Sequence, residues 1–307
     1  MRVSRFLLFA IGLAVGPTFA SSADGAAVKP FAENEIRVEV WNHHVYVPAS
    51  VNGSRNLWFL LDTGAGVPVT LIDDKVAASI RLRTHATRKA AAIGGSVKLA
   101  LTMPANLTVG SVAIRDAVFA ELPLRQQQEA EGHEIDGILG YDFFRRYKVD
   151  IDYPQHSIAL SPPARPSHDA TTRMWIEDKV PHIFATVVNR GENVAIHVIV
   201  DTGEDAGLLL DDRFYKTHKH FLVISQAKAG RSLGGVSKNA RSQVDELQIG
   251  DFSLRAVPVT VNFDTTGNLN SPRDVGLIGG EVLERLHIVL DYTHGQLTII
   301  RPSKQGP

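Results

Sequence analysis

Leu60-Leu61-Asp62-Thr63-Gly64 and Ile199-Val200-Asp201-Thr202-Gly203 are two copies of one pattern, a pair of apolar residues followed by Asp-Thr-Gly, 139 positions apart. One such triplet means little, since a given three-residue string occurs by chance in on the order of one chain in twenty of this length. The spacing, however, repeats. Gly137-Ile138-Leu139-Gly140 is answered by Gly276-Leu277-Ile278-Gly279, and Asp152-Tyr153 by Asp291-Tyr292, again 139 apart. Ile93-Gly94-Gly95 and Gly110 are answered 140 residues on by Leu233-Gly234-Gly235 and Gly250, a change of one inserted residue. Five markers in register imply two copies of one folding unit, here residues 36–163 and 173–303. The Pro- and Ser-containing stretch 164–172 between them reads as a linker.

Each copy carries the patterns of short strands. Ile36 to Val40 alternates apolar and polar, as does Val194 to Ile199, while Leu57 to Leu61 is continuously apolar, as a strand buried on both faces would be. Brief helices are expected over Asp73–Ile80, Tyr141–Arg146, Asp211–Thr217 and Glu281–Leu286, and hairpin turns at Asp152–Gln155 and Asp291–Gly295, whose aspartates we read as structural. The fold class is therefore mainly β, two homologous lobes with a few short helices.

Composition narrows the function. Residues 1–20 read as an export signal: Arg2 and Arg5, an apolar run from Phe6 to Val15, and a cleavage point after Ala20. Residues 21–35 read as a flexible segment. The apolar run is too short to span a bilayer and no other segment approaches that length, so the expectation is an exported protein, periplasmic or secreted, without stable membrane insertion after signal removal. With no cysteine, disulfides, thiol nucleophiles and thiolate metal sites are excluded. A formal charge of −1 gives no field for nucleic acid. His43-His44 and His218-Lys219-His220 lack the spacing of a zinc site and read as solvated surface, so no metal or other cofactor is expected. Asp136 and Asp274 read as solvated loop residues.

An ionisable Asp at the end of a buried strand is costly unless it is solvated, hydrogen-bonded or useful. In a twofold arrangement of equivalent halves the two triplets meet at the axis, so Asp62 would face Asp201. Two touching carboxyls do not both ionise readily; they hold one proton between them, and such a pair can activate a water while polarising a carbonyl.

These residues resemble the aspartic peptidases, in particular the retropepsin-like group, over nearly all of both halves. The resemblance implies an aspartic endopeptidase with Asp62 and Asp201 as its catalytic dyad, acting on a peptide or protein substrate between the lobes. By the same resemblance Thr63 and Thr202 would lock the two loops together and Gly64 and Gly203 would permit their close approach. Gly94, Gly95, Gly234 and Gly235 would form flap tips over the peptide. The pattern departs from the family at Glu204, where a small or hydroxyl residue is usual; a carboxyl there would either point outward or raise the proton affinity of the site. Two other readings share these residues: a peptide-binding module on the same fold, weak or inactive in catalysis, and a glycosidase, whose two acids would stand about 5 to 9.5 Å apart.

Overall fold

The computed structural model describes residues 35–92, 95–163, 166, 171–225, 228–232, 235–263 and 274–301; the signal-like segment, most of the linker, Gly94 and Gly234 lie outside them. The described chain forms three β-sheets with five short helices, Asp74–Ser79, Arg125–Glu131, Tyr141–Phe144, Asp212–Thr217 and Gly280–Leu283.

At the centre of the first half is Leu57–Leu61. Leu57, Phe59 and Leu61 are all but inaccessible, as the continuous apolar run requires. The strand is antiparallel to His44–Val51 and parallel to Gly137–Leu139, with Leu60 opposite Ile138. The second half repeats this arrangement. Glu192–Val200 is antiparallel to Val180–Asn189 and parallel to Gly276–Ile278, with Ile199 opposite Leu277. In each half the crossed strands end at the Asp-Thr-Gly loop, and Asp62 N–H and Asp201 N–H donate to Leu139 O and Ile278 O at 3.0 and 2.8 Å.

A third sheet is built by both halves. Lys148–Asp152 and Ser157–Ser161 of the first lie beside His287–Asp291 and Gln296–Ile300 of the second, with Glu35–Arg37 and Thr172–Arg173 at the edges. Asp150 is opposite Val289 in this sheet, and those two residues are themselves 139 apart. An antiparallel pair centred on equivalent residues places the molecular twofold between them.

The turns at 153–156 and 292–295 close hairpins of the shared sheet, and Asp152 Oδ1 and Asp291 Oδ1 accept from Gln155 N–H and His294 N–H, each at 3.0 Å. Two expectations need correction, and one helix has no counterpart among them. The alternating run Ile36 to Val40 is not one strand: it breaks at buried Val38, giving Glu35–Arg37 to the shared sheet and Glu39–Trp41 to the first half's sheet. Alternation of period two fits an edge of either sheet, and so cannot say where a strand changes partner. Thr172, counted with the linker, pairs with Leu297. The helix Arg125–Glu131 was not anticipated; its N-cap Leu124 makes no side-chain cap bond, so it lacks the usual start signal, and Gly132 ends it at φ 71°.

Candidate active site

The two triplets meet at the axis. Thr63 Oγ1 donates to Val200 O at 2.7 Å and accepts from Thr202 N–H at 2.9 Å. Thr202 Oγ1 in turn donates to Leu61 O at 2.6 Å and accepts from Thr63 N–H at 3.0 Å. Each hydroxyl thus satisfies one donor and one acceptor of the opposite loop, all of them buried. Beyond this lock lie the carboxyls. Asp62 Oδ1 accepts Ala65 N–H at 2.9 Å and Asp201 Oδ1 accepts Gly203 N–H at 2.9 Å. A Cβ on Gly203 would stand 2.5 Å from Asp62 Oδ1, so only glycine lets the first carboxyl lie against the second loop. The Gly64 amide favours the ionised form of both carboxyls. Asp62, Asp201, Thr63, Thr202, Gly64 and Gly203 are therefore brought together.

Both carboxyls are nearly inaccessible, Asp62 at 2 % and Asp201 at 0 %. Burial raises the Asp62 pKa to about 6, against the Ala65 amide, the neighbouring His44 ring and the Gly64 amide, which oppose the rise. Asp201 is pushed well above the carboxylate range by burial and then by the Asp62 charge, with the Gly203 and Gly64 amides opposing. Its Oδ2 is buried and makes no hydrogen bond among the described residues. The site therefore favours protonation of at least one member of the pair near neutrality.

Glu204 turns inward rather than to solvent, at 2 % exposure, with Oε1 accepting from Ala206 N–H at 3.3 Å. Burial, then the charges of Asp205 and Asp201 and a hydrogen bond to Asp205, raise its pKa well above the usual value.

Gly95 and Gly235 open the second strands of two hairpins, Thr84–Ala92 with Gly95–Thr102 and Lys228–Ser232 with Gly235–Ile249. Gly94 and Gly234 lie outside the described residues.

Several nearby groups were not singled out from sequence. His44, expected as solvated surface, is 2 % exposed; the register of Tyr46 opposite Leu60 sets it beside Asp62, and its Nδ1 lies 2.8 Å from Glu131 Oε1. Burial overturns the surface reading, because the helix Arg125–Glu131 delivers a carboxylate onto it. His43 is half-buried against Glu284 at 2.7 Å. Asp136 and Asp274 are buried too: Asp136 Oδ2 accepts Trp58 N–H at 2.8 Å, and Asp274 Oδ1 meets two histidines. Tyr153 and Tyr292, legible only as turn residues, bring buried hydroxyls under the dyad from the shared sheet. Burial and then the charges of Asp201 and Asp62 hold Tyr292 protonated; for Tyr153, burial and then Glu284 and Asp201 do so.

Two β-lobes, paired Asp-Thr-Gly loops at their twofold and a sheet shared beneath define the acid-protease class. The family model described as aspartyl protease matches residues 47–143 and again 185–282, together more than half of the chain, and the chain belongs to this family as a tandem, two-lobe, retropepsin-like member. No curated protein matches the chain.

Proposed function

We propose that the protein is an aspartic endopeptidase that hydrolyses peptide bonds with a water activated by Asp62 and Asp201. The observation that carries the reading is the reciprocal hydroxyl lock of Thr63 and Thr202, which fixes two buried carboxyls against each other's loops. One member, ionised, takes a proton from the water as its oxygen attacks the carbonyl carbon, while the other, protonated, donates to the carbonyl oxygen; the tetrahedral diol then collapses, the C–N bond breaking as the first member passes its proton to the leaving amine and the second regains its own, without a covalent enzyme intermediate. Desolvation of the pair strengthens both interactions. The tyrosine hydroxyls stay neutral at working pH and add no competing charge. The partner is a peptide or protein, bound extended between the lobes beneath the hairpins that begin again at Gly95 and Gly235. We read residues 1–20 as the signal that exports it to the periplasm or medium; among the described residues no helix is long and apolar enough to cross a membrane.

Digestion of a mixed peptide library across a range of pH tests the reading. Turnover by the natural chain, lost by about 10²-fold or more in both Asp62→Asn and Asp201→Asn, is the expected outcome. Turnover that survives either change refutes the dyad, and peptide binding without turnover in the natural chain assigns the fold a binding role instead.

A further inference from the structure

Two histidines and a carboxylate that the proposed hydrolysis does not use converge in the second half. Val180–Asn189 and Glu192–Val200 pair with His182 opposite Ile199 and Phe184 opposite His197, which puts both imidazoles on one face of the sheet, diagonal to each other. Trp175, opposite His182 on the next strand, shares that face. Asp274 arrives from the segment entering Gly276–Ile278, held there by Val275 N–H donating to His197 O at 3.1 Å and Arg213 Nη2 donating to Asp274 O at 2.6 Å. His182 Nδ1 and His197 Nδ1 approach the same oxygen, Asp274 Oδ1, at 2.9 and 2.7 Å, and one donor atom from each of the three residues lies within 4.8 Å of the others. Trp175 lies flat on His197, with ring centroids 4.7 Å apart and planes 3° from parallel, so it fixes the direction of that ring.

Proton bookkeeping makes this geometry informative. His182 Nδ1 faces a carboxylate oxygen and its Nε2 faces the Glu177 carbonyl at 3.4 Å, two acceptors for a ring that carries one N–H when neutral. With a metal ion at Nδ1 the ring keeps its N–H on Nε2 for the backbone carbonyl, the outer partner that metal-bound histidines regularly have. The duplication supplies an independent control. At the matching register the first half carries Tyr46 opposite Leu60, Trp58, whose carbonyl receives Asp136 N–H, and Ile135. The lobe is thus built without ligating groups at these positions, so the fold itself does not call for them in the second half.

We propose that His182 Nδ1, His197 Nδ1 and Asp274 Oδ1 bind a divalent transition-metal ion of the zinc class, with water as fourth ligand. Two imidazoles and one carboxylate are a zinc-type donor set, whereas calcium and magnesium prefer six or more oxygens. Tetrahedral ligands at zinc distances stand about 3.3 Å apart, inside the 4.8 Å that bounds the donor atoms here. The ion ties the strand Trp175–Glu177, through its stacked tryptophan, to three others. It has no part in peptide hydrolysis, since His197 precedes Asp201 by four residues, about 13 Å along the strand.

The test uses the full chain, stripped with a chelator and titrated with Co²⁺, then Zn²⁺. The expected result is a single equivalent of Co²⁺ with the intense visible bands of four-coordinate cobalt, their displacement by Zn²⁺, and a higher melting temperature with Zn²⁺. Asp62→Asn retains all three, while His197→Gln and Asp274→Asn lose them. His182→Tyr, the first half's own residue at that register, loses them while keeping the natural circular-dichroism spectrum. Absence of saturable one-equivalent binding in the natural chain overturns the proposal, as does binding that all three substitutions leave unchanged.

Discussion

Glu204 stands where the first triplet is followed by Ala65, and the inward turn of its side chain makes it the third carboxyl of the site. Held neutral by burial and by Asp205 and Asp201, it adds no negative charge to the dyad. The folded chain binds this proton more tightly than the unfolded chain, so stability falls as pH rises from the ordinary value of 4.5 toward the raised one. Glu204→Gln removes that slope: its melting temperature should exceed that of the natural chain at pH 8 and approach it at pH 4, with turnover kept within a few-fold. A variant that melts lower at pH 8 would show that the carboxylate is stabilising there. Gly203 makes a different demand. In Gly203→Ala the new methyl meets Asp62 Oδ1, so under the proposed mechanism a well-folded protein should lose about 10²-fold in kcat, the cost of misplacing the reacting carboxyl by roughly 1 Å. Equal kcat with unchanged circular dichroism would remove Gly203 from the site. The triplets were legible as residues because they recur. His44 and Glu131 were not, since their meeting depends on strand register and on a helix with no start signal.

The elements that matter most are the two loops and the strands feeding them. Thr202→Val removes a hydroxyl that bonds to Thr63 N–H and Leu61 O, leaving a buried donor and a buried acceptor unpaired in the first loop. At about 1–3 kcal/mol for each unsatisfied group, the loss should reach roughly 2–6 kcal/mol, read as a lower urea midpoint at constant slope. Thr202→Ser, which keeps the hydroxyl, should recover most of it; if serine is as damaging as valine, the methyl rather than the bonds carries the effect. Strand identity was legible wherever one face or both were buried, as at Leu57–Leu61 and Glu192–Val200, because burial leaves a period in the sequence. The break at Val38 was not, because it separates two sheets that ask for the same alternation. Nor was the burial of Asp136 and Asp274: an Asp before an apolar run looks the same whether water or a neighbouring strand satisfies it.

At the scale of the whole molecule the duplication was legible from spacing alone, and the axis followed from it: Thr63 with Thr202 and Asp150 with Val289 are both equivalent pairs meeting across it. What spacing cannot supply is the chemistry that holds unlike surfaces together. Two histidines bridge the halves. His43 of the first meets Glu284 of the second at 2.7 Å; His287 of the second meets Asp150 at 2.6 Å and Asp152 at 3.2 Å of the first. Both imidazoles have raised pKa values, through the close approach of Glu284 and the hydrogen bond to Asp150, with Glu281 and Asp205 adding to the first and Asp152 and Glu35 to the second. A raised histidine gives its full stabilisation below the unfolded value of 6.5 and loses it as pH climbs through the folded one. The lobes are therefore held more firmly in acid, where the buried Asp62 and Asp201 carboxyls also retain their protons. Because both pairs are partly exposed, each should contribute only a few tenths to about 1 kcal/mol. His43→Gln combined with His287→Gln should lower the urea midpoint at pH 5.5 and leave it nearly unchanged at pH 8.5, flattening the profile relative to the natural chain. The buried carboxyls, which also lose stability as pH rises, are common to both proteins and cancel in the difference. A double variant that falls as steeply as the natural chain would place the whole pH dependence in the dyad and Glu204, leaving none for the inter-lobe histidines.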